Sequence, residues 1–183
     1  MISKLIILDR DGVINRESSK YIKTPDEWEA IPGSLNAIAL LNQKGFSVAI
    51  ATNQSGISRG YFSLQTLSAI HKKLLTKLGL VGGTIKIIAV CPHKPDEHCC
   101  YRKPKPGMLL EILKKYKLDP LKIYIPFVGD TLRDLQAAEA AHCVPILVKT
   151  GYGIETLKKL AYPLLQKHIL VFDDLLSFAK TQV

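Results

Sequence analysis

Two aspartates, Asp9 and Asp11, follow directly after the apolar run 5–8, and Gly12 comes next. The run predicts a buried strand, and open α/β sheets bind ligands beyond the carboxyl ends of their strands. Two carboxylates at that place could bind a cation, attack an electrophile and transfer a proton. An acidic turn after a strand would show the same pattern, so the pair alone leaves both interpretations open.

Three later segments place polar residues after a predicted strand in the same way. They are Thr52, Asn53 and Gln54 after the second strand, Arg102 and Lys103 in the loop that follows the third, and Asp130 after the fourth. Hydroxyl and amide groups suit an oxyanion-binding loop, cations neutralise phosphate, and a further carboxylate can bind a metal or cap a helix. Each segment alone also fits an ordinary turn or cap, but four of them in this order make coincidence implausible.

The composition fits one globular domain without a membrane segment. The chain has 183 residues, of which 47% are hydrophobic, and its mean hydropathy is +0.11. No apolar run approaches the roughly 20 residues of a membrane-spanning helix, and the run 5–8 is too short for a secretory signal. We therefore expect a single domain over residues 1–183, located in the cytoplasm and not in a membrane.

The net charge is +9, and much of it comes from lysines on predicted helices. Solvated helix faces explain such lysines most simply, yet a basic chain also attracts anions. Phosphorylated metabolites and nucleic acids both stay open as partners on charge alone. Of the four cysteines, Cys143 is expected in the core, and a disulfide framework is not expected in a chain of this size without a signal sequence.

Strand and helix patterns alternate along the whole chain. The predicted strands cover residues 5–8, 46–51, 85–90, 123–128, 145–148 and 169–172. The predicted helices cover residues 33–44, 63–78, 106–117, 132–141 and 155–160, with a last helix after Asp173. This alternation predicts an α/β fold, a doubly wound and mostly parallel sheet with helices on both faces.

Helix ends are predicted from residues that cap or stop helices. Ser34 is expected to cap the first helix, and Gly45 to end it. Ser63 is expected to cap the second helix, and Gly79 to end it. Asp173 is expected to cap the last helix.

Two long segments, 12–32 and 91–105, lack a periodic pattern. Irregular segments of this length in a compact domain are usually functional. Both directly follow strands, so we expect both to overhang the same crevice. The first is too short to form a separate cap domain, which would leave the site open and let the second segment shape it.

The ordered motifs resemble those of the haloacid dehalogenase superfamily of phosphohydrolases. The matching motifs, all within residues 4–150, are Asp9-x-Asp11-Gly12, Thr52, Lys103 and Gly129-Asp130-x-x-x-Asp134. Longer strings are similar to one subfamily, the heptose bisphosphate phosphatases and their histidinol-phosphatase relatives. These strings cover residues 9–15, 52–62, 91–93 and 102–107. The resemblance implies a doubly wound, Rossmann-like sheet with a minimal cap, in which Asp134 supports its loop and does not bind metal.

The resemblance implies a Mg²⁺-dependent phosphomonoester hydrolase with an aspartyl-phosphate intermediate. Asp9 would attack phosphorus, and Asp11 would protonate the leaving alkoxide and then deprotonate water. Mg²⁺ would bind the carboxylates of Asp9 and Asp130 and the backbone carbonyl of Asp11, which offsets the charge of the phosphate. Thr52 would bind a phosphoryl oxygen, and Lys103 would neutralise charge on Asp9 and the transferred group.

The subfamily implies a heptose 1,7-bisphosphate as substrate. It would lose its 7-phosphate on the route to a nucleotide-activated heptose for lipopolysaccharide biosynthesis. The expected substrate-binding residues are Asn15, Asn53, Gln54, Arg59 and Arg102. Arg102 is assigned to the second phosphate, which a guanidinium can hold bidentately.

Three other functions stay open: a histidinol-phosphate phosphatase, a polynucleotide 3′-phosphatase and a non-catalytic phosphate-binding protein. Histidinol phosphate carries a cation at its far end, which Arg102 would repel. A polynucleotide would need aromatic platforms beside a basic groove, for which the candidates are Tyr21, Trp28, Tyr61 and Tyr101. Because no motif residue is missing, a catalyst is favoured over a binding protein. We expect a monomer that acts on a small phosphorylated sugar, without nucleic acid as a partner.

The segment 91–105 resembles the zinc loop of the same subfamily. The expected ligands of one structural Zn²⁺ are Cys91, His93 and Cys99, with Cys100 as the fourth and His98 as its alternative. Thiolates and imidazole suit tetrahedral zinc, and four protein ligands leave no position for water. Tyr101 stands where the subfamily has its last cysteine, so a metal-free loop with reduced thiols is the other interpretation.

Overall fold

The computed structural model describes residues 4–160 and 169–182 and contains one six-stranded sheet. Its strands are β1 (Lys4–Leu8), β2 (Phe46–Asn53), β3 (Ile87–Cys91), β4 (Pro126–Gly129), β5 (Val144–Val148) and β6 (Leu170–Phe172). All neighbouring pairs are parallel, and the order across the sheet is β3-β2-β1-β4-β5-β6. The doubly wound parallel sheet predicted from the alternation is confirmed.

Helices connect the strands and cover both faces of the sheet. They are α1 (Ser34–Gln43), α2 (Leu64–Leu80), α3 (Gly107–Tyr116), α4 (Leu132–Ala140), α5 (Gly153–Leu160) and α6 (Leu175–Thr181), and a single 3₁₀ turn covers Pro95–Glu97. Each predicted strand and helix is present, with its ends displaced by three residues at most. Within the described ranges, no helix is both long enough and apolar enough to cross a membrane.

The strand β1 is buried on both of its faces, which explains its nearly unbroken apolar sequence. Ile6 and Leu8 contribute to one core layer, which they share with buried residues of α1, α2 and α6. Leu5 and Ile7 contribute to the opposite layer, which they share with α3 and α4. Because successive side chains of a strand point to opposite faces, these two layers together fix β1 and the residues that follow it.

The carboxyl end of β1 lies between two neighbouring strands. Ile7 is in register with Ala49 of β2 and with Phe127 of β4. The order of the strands reverses direction here, and a crevice opens at such a switch point in open α/β sheets. Residues that follow β1, β2 and β4 therefore reach the same crevice.

The first helix differs from the prediction at its cap. Gly33, in a left-handed conformation, is the residue before α1, and Ser34 is already helical. The hydroxyl of Ser34 instead donates to the carbonyl of Ile14 at 2.6 Å. Ser34 is therefore not a cap but a tie between α1 and the irregular segment 12–32.

The second helix confirms one predicted end and corrects the other. The hydroxyl of Ser63 accepts from the backbone N–H of Thr66 at 3.1 Å, as expected of a cap. The helix then continues through Gly79 to Leu80. The expectation that Gly79 ends the helix is wrong because its backbone stays helical and Gly82 takes the positive φ angle, 77°.

The last helix is capped by the neighbour of the predicted residue. Asp174 caps α6, since its Oδ1 accepts from the backbone N–H of Ser177 at 2.7 Å. Asp173 instead forms an ion pair with Lys149 at 2.7 Å. Two adjacent aspartates are equivalent as caps in the sequence, and only the register of the helix separates them.

Candidate active site

The polar residues after β1 and β2 and at the start of α4 line one cavity of about 300 Å³. Residues of the segments 12–32 and 91–105 also line it, so both irregular segments overhang the crevice as predicted. The lining includes Asp9, Asp11, Thr52, Asn53, Gln54, Arg59, Arg102, Lys103 and Asp134. The structure thus gathers most of the predicted site residues around a single space.

Lys103 joins two carboxylates at the base of this cavity. Its Nζ lies 2.9 Å from Asp9 Oδ2 and 2.7 Å from Asp134 Oδ1, and its side chain is 2% exposed. Burial lowers the pKa of Lys103, but the two carboxylates raise it above its ordinary value. Burial also raises the pKa of Asp134, and the ion pair with Lys103 outweighs that effect, so this pKa is lowered. Lys103 is therefore a charged ammonium between two acids.

Asp9 has a different electrostatic balance. Its Oδ1 accepts from the backbone N–H of Arg10 at 2.7 Å. The pKa of Asp9 is raised to about 7: burial is the main cause, Lys103 opposes it, and the carboxylates of Asp134 and Asp11 add to the rise. Carboxylates crowded in this way are stabilised in the ionised form by a bound cation.

Asp130 is fully buried beside Asp9. Its Oδ2 accepts from the backbone N–H of Tyr152 at 2.8 Å, whereas Oδ1 has no hydrogen-bond partner among the described residues. The pKa of Asp130 is raised to about 9, mainly by burial and in part by the neighbouring carboxylates of Asp134 and Asp9. A buried carboxylate oxygen without a donor is a group that a cation would satisfy.

Carboxylate oxygens of Asp9, Asp130 and Asp134 lie within 4.8 Å of one another. Oxygen ligands of this kind fit Mg²⁺, which also retains water ligands. Asp134 is already engaged by Lys103 and by the start of α4, so Asp9 and Asp130 are the carboxylates available to a metal. The residues present therefore fit the predicted magnesium site.

Two glycines preserve the space around Asp130. A Cβ built on Gly12 would lie 2.0 Å from Asp130 Oδ2, and one built on Gly151 would lie 2.1 Å from the same oxygen. Both glycines have positive φ angles, 77° and 57°, which other residues rarely adopt. A side chain at either position would displace the carboxylate.

The alternative role of Asp130, as the cap of α4, is excluded by the structure. Thr131 is the residue before the helix, and it forms a reciprocal capping box with Asp134. Asp134 Oδ2 accepts from the backbone N–H of Thr131 at 3.0 Å. Asp130 is thus not the helix cap, and its carboxylate is left for the site. The position of Asp134 fits its expected role of supporting this loop.

Asp11 is held by donors on several sides. Its carboxylate accepts from the guanidinium of Arg10, from Asn15 Nδ2 at 2.8 Å and from Gln54 Nε2 at 2.8 Å. Burial raises the pKa of Asp11, but the charge of Arg10 and these hydrogen bonds lower it below its ordinary value. The two neighbouring acids, Asp9 and Asp11, therefore have opposite pKa shifts.

Side chains at the end of β2 form hydrogen bonds to other residues of the site. Gln54 Nε2 donates to Thr52 Oγ1 at 2.9 Å as well as to Asp11. Asn53 exchanges two hydrogen bonds of 3.1 Å with the backbone of Lys103. Asn53 thus fixes the lysine loop in addition to lining the cavity.

Asn15 and Lys105 do not face the cavity. Asn15 is fully buried, and its amide donates to Asp11 and to the carbonyl of Arg16. The expectation that Asn15 contacts substrate is therefore corrected, because its side chain lies behind Asp11. Lys105 donates to the carbonyl of His98 at 2.7 Å, outside the cavity.

Several cavity residues are missing from the sequence prediction. They include Glu17, Ser18, Ser19, Ile22, Arg133 and Tyr152. The pKa of Glu17 is raised to about 7, mainly by burial and in part by the charge of Asp11. Residues 17–22 belong to the irregular segment after β1, and that position indicates that they lie near the cavity. Nothing in the sequence around Tyr152 indicates that it reaches the cavity.

The cysteine loop brings three predicted ligands together. Sulfur and nitrogen atoms of Cys91, His93 and Cys99 lie within 4.8 Å of one another. Cys100 is exposed and lies outside this group, as does His98. The three grouped side chains fit zinc in type, and the structure leaves the fourth ligand unassigned.

The loop is connected to the cavity through Arg102. The guanidinium of Arg102 donates to the carbonyl of His93 at 2.9 Å and also lines the cavity. Burial lowers the pKa of Arg102, and the nearby cation Arg133 adds to this effect. The position of a cavity cation thus depends on the cysteine loop.

Comparison with known proteins gives a consistent result. The family model of haloacid dehalogenase-like hydrolases matches residues 4–142. The D-glycero-beta-D-manno-heptose-1,7-bisphosphate 7-phosphatase of Pseudomonas aeruginosa is 52% identical over 179 residues, which cover 98% of this chain and 97% of the relative. A protein of the same name from Bordetella bronchiseptica is 52% identical over 177 residues, with coverages of 97% and 96%.

Solved structures agree with the fold. The crystal structure of D,D-heptose 1,7-bisphosphate phosphatase from B. bronchiseptica, complexed with magnesium and phosphate, gives a TM-score of 0.91 at 50% identity and covers 97% of this chain and 96% of that chain. The corresponding phosphatase from Burkholderia thailandensis gives a TM-score of 0.74 at 43% identity, with 97% of each chain covered. Both share the fold described above.

Proposed function

The chain belongs to the haloacid dehalogenase-like hydrolase family, and on that premise we propose that it removes the 7-phosphate of D-glycero-D-manno-heptose 1,7-bisphosphate. One observation carries the proposal: Asp9, Asp11, Thr52 and Lys103 line a single cavity, with Asp130 buried beneath it. Relatives at about half identity over nearly their full length are named for this activity. The substrate class is therefore a small phosphorylated sugar.

Asp9 is the proposed nucleophile. Its carboxylate oxygen attacks phosphorus while the bond from phosphorus to the sugar oxygen breaks, which leaves an aspartyl phosphate. Because the pKa of Asp11 is lowered in the free protein, Asp11 takes up a proton as the negatively charged phosphate binds, and it gives that proton to the departing oxygen. Water then attacks phosphorus, its proton passes to Asp11, and the bond between phosphorus and the Asp9 oxygen breaks to release phosphate. Asp9 and Asp11 then have the protonation states that they had in the substrate complex.

The proposed magnesium ligands are the carboxylates of Asp9 and Asp130 and the backbone carbonyl of Asp11. When bound, Mg²⁺ supplies positive charge that reduces the repulsion between the carboxylate of Asp9 and a phosphate dianion. The unpartnered Oδ1 of Asp130 supports this assignment. A structural neighbour at 50% identity is described as complexed with magnesium and phosphate, which supports it further.

Two other residues are proposed to act on the transferred phosphoryl group. Thr52 donates its hydroxyl to a phosphoryl oxygen. Lys103, which is charged and 2.9 Å from Asp9 Oδ2, stabilises the negative charge that accumulates between Asp9 and the phosphoryl group. Because its burial excludes water, this interaction is worth more than one on the surface.

The cations at the cavity support a substrate with two phosphates. Arg59, Arg102 and Arg133 line it together with Asn53 and Gln54. We assign the second phosphate to Arg102, whose guanidinium is half-buried and anchored to the cysteine loop. A cationic histidinol phosphate would be repelled at this place.

The aromatic residues give little support to a polynucleotide substrate. Trp28 is buried in the core, and Tyr101 lies in a separate surface groove. Of the four candidate side chains, only Tyr21 lines the cavity, where its ring packs edge-on against Tyr61 with a centroid distance of 5.1 Å. A row of stacking platforms beside the cavity is therefore not formed by these four side chains.

We propose one structural Zn²⁺ held by Cys91, His93, Cys99 and a fourth ligand, Cys100 or His98. The grouping of the first three side chains supports this proposal. Its role would be to fix the segment that carries Arg102 and Lys103, without contacting substrate. Zinc measured in protein prepared without chelator, for the wild type, Cys100→Ser and His98→Ala, tests the site and identifies the fourth ligand.

We also propose that the enzyme acts as a monomer in the cytoplasm. The predicted catalytic residues that line the cavity all come from one chain, and phosphorylated sugars do not cross membranes unaided because they are charged. Size-exclusion chromatography with light scattering tests the oligomeric state.

The substrate proposal is tested by kcat/KM on three compounds. The heptose 1,7-bisphosphate should exceed both histidinol phosphate and a 3′-phosphorylated oligonucleotide by tenfold or more. A tenfold preference for either of the others would overturn the choice of substrate.

With Mg²⁺, an aryl phosphate should be hydrolysed by the wild type and not by Asp9→Asn. Retained turnover in that variant would remove Asp9 as the nucleophile, and absence of turnover together with absence of beryllium fluoride trapping in the wild type would favour a non-catalytic protein.

A further inference from the structure

Arg10 contacts both carboxylate oxygens of Asp11, although the mechanism above gives it no role. Its Nε lies 3.0 Å from Asp11 Oδ1, and its Nη2 lies 2.8 Å from Oδ1 and 2.9 Å from Oδ2. A planar guanidinium that contacts both oxygens restrains the rotation of the carboxylate as well as its position.

Arg10 cannot serve as a substrate-binding cation. It is fully buried, and it is not among the residues that line the cavity. Asp11 lies between it and the site, since the carboxylate lines the cavity and is contacted by the guanidinium. Any effect of Arg10 on the reaction must therefore pass through Asp11.

His71 of α2 supports Arg10 from behind. Its Nε2 lies 3.3 Å from Arg10 Nη1. A guanidinium only donates, so the imidazole accepts through Nε2 and carries its proton on Nδ1. Burial and the charge of Arg10 both lower the pKa of His71, to about 4. The neutral ring can thus accept from Arg10 at physiological pH without repelling it.

We propose that Arg10, braced by His71, is a positioning residue that aims the carboxyl of Asp11 at the leaving oxygen. This inference rests on the proposed phosphatase activity and on the role of Asp11 in it. In the step concerned, the bond from phosphorus to the leaving oxygen breaks and the proton of Asp11 moves to that oxygen. Proton transfer depends steeply on geometry, because donor and acceptor must lie within hydrogen-bond reach.

Asn15 and Gln54 limit the size of the effect. Each donates to one oxygen of Asp11 at 2.8 Å, so loss of Arg10 or His71 would loosen the carboxylate without releasing it. General acid catalysis contributes about 10²–10⁴-fold to rates. A loosened acid should therefore cost about tenfold, which is less than its removal in Asp11→Asn.

The experiment compares two esters that need the acid to different degrees. An alkyl phosphate has a strongly basic leaving oxygen and requires protonation, whereas p-nitrophenolate leaves without it. The ratio of kcat/KM for the two esters isolates this step, because kcat/KM ends at formation of the aspartyl phosphate and excludes its hydrolysis. A loss of folded enzyme lowers both values equally and leaves the ratio unchanged.

His71→Leu is the main variant, and His71→Gln is its matched control, since the amide oxygen can take the place of Nε2 as acceptor. In His71→Leu, kcat/KM for the alkyl ester should fall about tenfold, while the value for p-nitrophenyl phosphate changes less than twofold. In His71→Gln both values should stay within twofold of the wild type. Arg10→Met should lower the ratio further, and it should have no effect on the ratio when added to Asp11→Asn.

Two results would overturn the inference: equal losses on both esters in His71→Leu, or no loss on either. If Arg10→Met fails to fold, His71→Leu still decides, because this half-buried helix position tolerates substitution better than the core. A wild type that hydrolyses neither ester would refute the proposed phosphatase itself. A wild type that hydrolyses both, with an unchanged ratio in His71→Leu, would refute only the positioning role.

Discussion

The carboxylate centre below the cavity and the cysteine loop beside it are held in opposite ways. The centre consists of Asp9 and Asp130, which directly follow buried strands, Asp134 in the first turn of α4, and Lys103, which the cysteine loop delivers to it. Every member except Asp9 is at most 2% exposed. The loop, residues 91–105, is mostly exposed or half-buried and contains one 3₁₀ turn. The core positions the first, whereas a few polar contacts and a proposed metal position the second.

This contrast predicts how substitutions in each region affect folding and activity. In the centre, each charged group depends on its neighbours, since removing one leaves another buried without its counter-charge. In the loop, Arg102 and Lys105 each donate one hydrogen bond to a backbone carbonyl. Substitutions in the centre should therefore affect folding and activity together, and substitutions in the loop should affect activity more than folding.

The largest effect is expected for Lys103→Met, with Lys105→Met as the matched control two residues away. Loss of Lys103 leaves Asp9 and Asp134 facing each other without a cation, and breaking a buried pair in this way costs about 3–5 kcal/mol. Loss of Lys105 removes a surface contact worth about 1 kcal/mol or less. Urea unfolding at neutral pH without Mg²⁺ measures both. Equal destabilisation of the two variants would contradict the contrast.

Gly12→Ala should have the next largest effect, judged against Gly60→Ala. Both glycines have positive φ angles, 77° and 73°, so both variants incur the same backbone strain. Only the Cβ at position 12 meets a neighbour, Asp130 Oδ2 at 2.0 Å, since the space around Gly60 is open to 4 Å. Overpacking adds about 1–3 kcal/mol, and Mg²⁺ binding should weaken as Asp130 is displaced.

Calorimetry with Mg²⁺ and denaturant titration separate the two consequences. Gly12→Ala should be less stable than Gly60→Ala and should bind Mg²⁺ more weakly, while Gly60→Ala should bind it like the wild type. If the two variants have the same stability and Mg²⁺ affinity, the short distance between position 12 and Asp130 does not matter for metal binding.

The pH dependence of Mg²⁺ binding tests the carboxylate centre without a substitution. The pKa of Asp9 is raised to about 7 and that of Asp130 to about 9, so both acids hold protons in metal-free protein below these values. Their contribution to stability is fully present below about pH 4, the unfolded value, and is lost as the pH rises through 7 to 9. Metal binding must release the protons, so the affinity should rise with pH by up to tenfold per unit for each proton.

Titration calorimetry in buffers of different ionisation enthalpy counts the released protons. Proton release should be large at pH 6 and small above pH 9. In Asp130→Asn the release should be smaller than in the wild type at pH 8. An affinity that is independent of pH from 6 to 9 would show that these two carboxyls are not the ligands.

The smallest effect is expected in the cysteine loop. Cys91→Ser should lose the proposed zinc and lower turnover less than tenfold, because Asn53 still holds the backbone of Lys103. Mg²⁺ affinity should be unchanged, which separates the two metals. Zinc content and kcat measured on the same preparation check this. Less than about a tenth of an equivalent of zinc in a fully active wild type would refute the zinc site.

Sequence reasoning succeeds where residue type and strand position coincide. Asp9, Thr52 and Asp130 were identifiable because acids and hydroxyls stand where apolar strands end. It fails where the packing of the folded chain decides which side chains contact each other. Asn15 has the composition of a substrate ligand, yet the bridge that folds residues 11–15 turns it behind Asp11. Arg10 lies inside the motif, but only the path of α2 places His71 against it.

Register errors explain the misplaced caps. Asp173 and Asp174 are chemically identical, and their roles differ only because α6 begins at Leu175. Ser34 and Gly33 are exchanged in the same way at α1. A shift of the helix start by one residue changes which residue is the cap, and a hydrophobic pattern does not define helix ends to within one residue.

The central position of β1 has a consequence for synthesis of the chain. β1 precedes β4 in the chain, yet one of its edges pairs with β4, which ends at Gly129. A nascent chain that has not reached this residue exposes an unpaired apolar edge, the kind of surface that promotes association between chains. The catalytic pocket also cannot close before Asp134 has emerged. Slow translation before that point should favour chaperone binding, and the enzyme should become protease-resistant abruptly once β4 has docked.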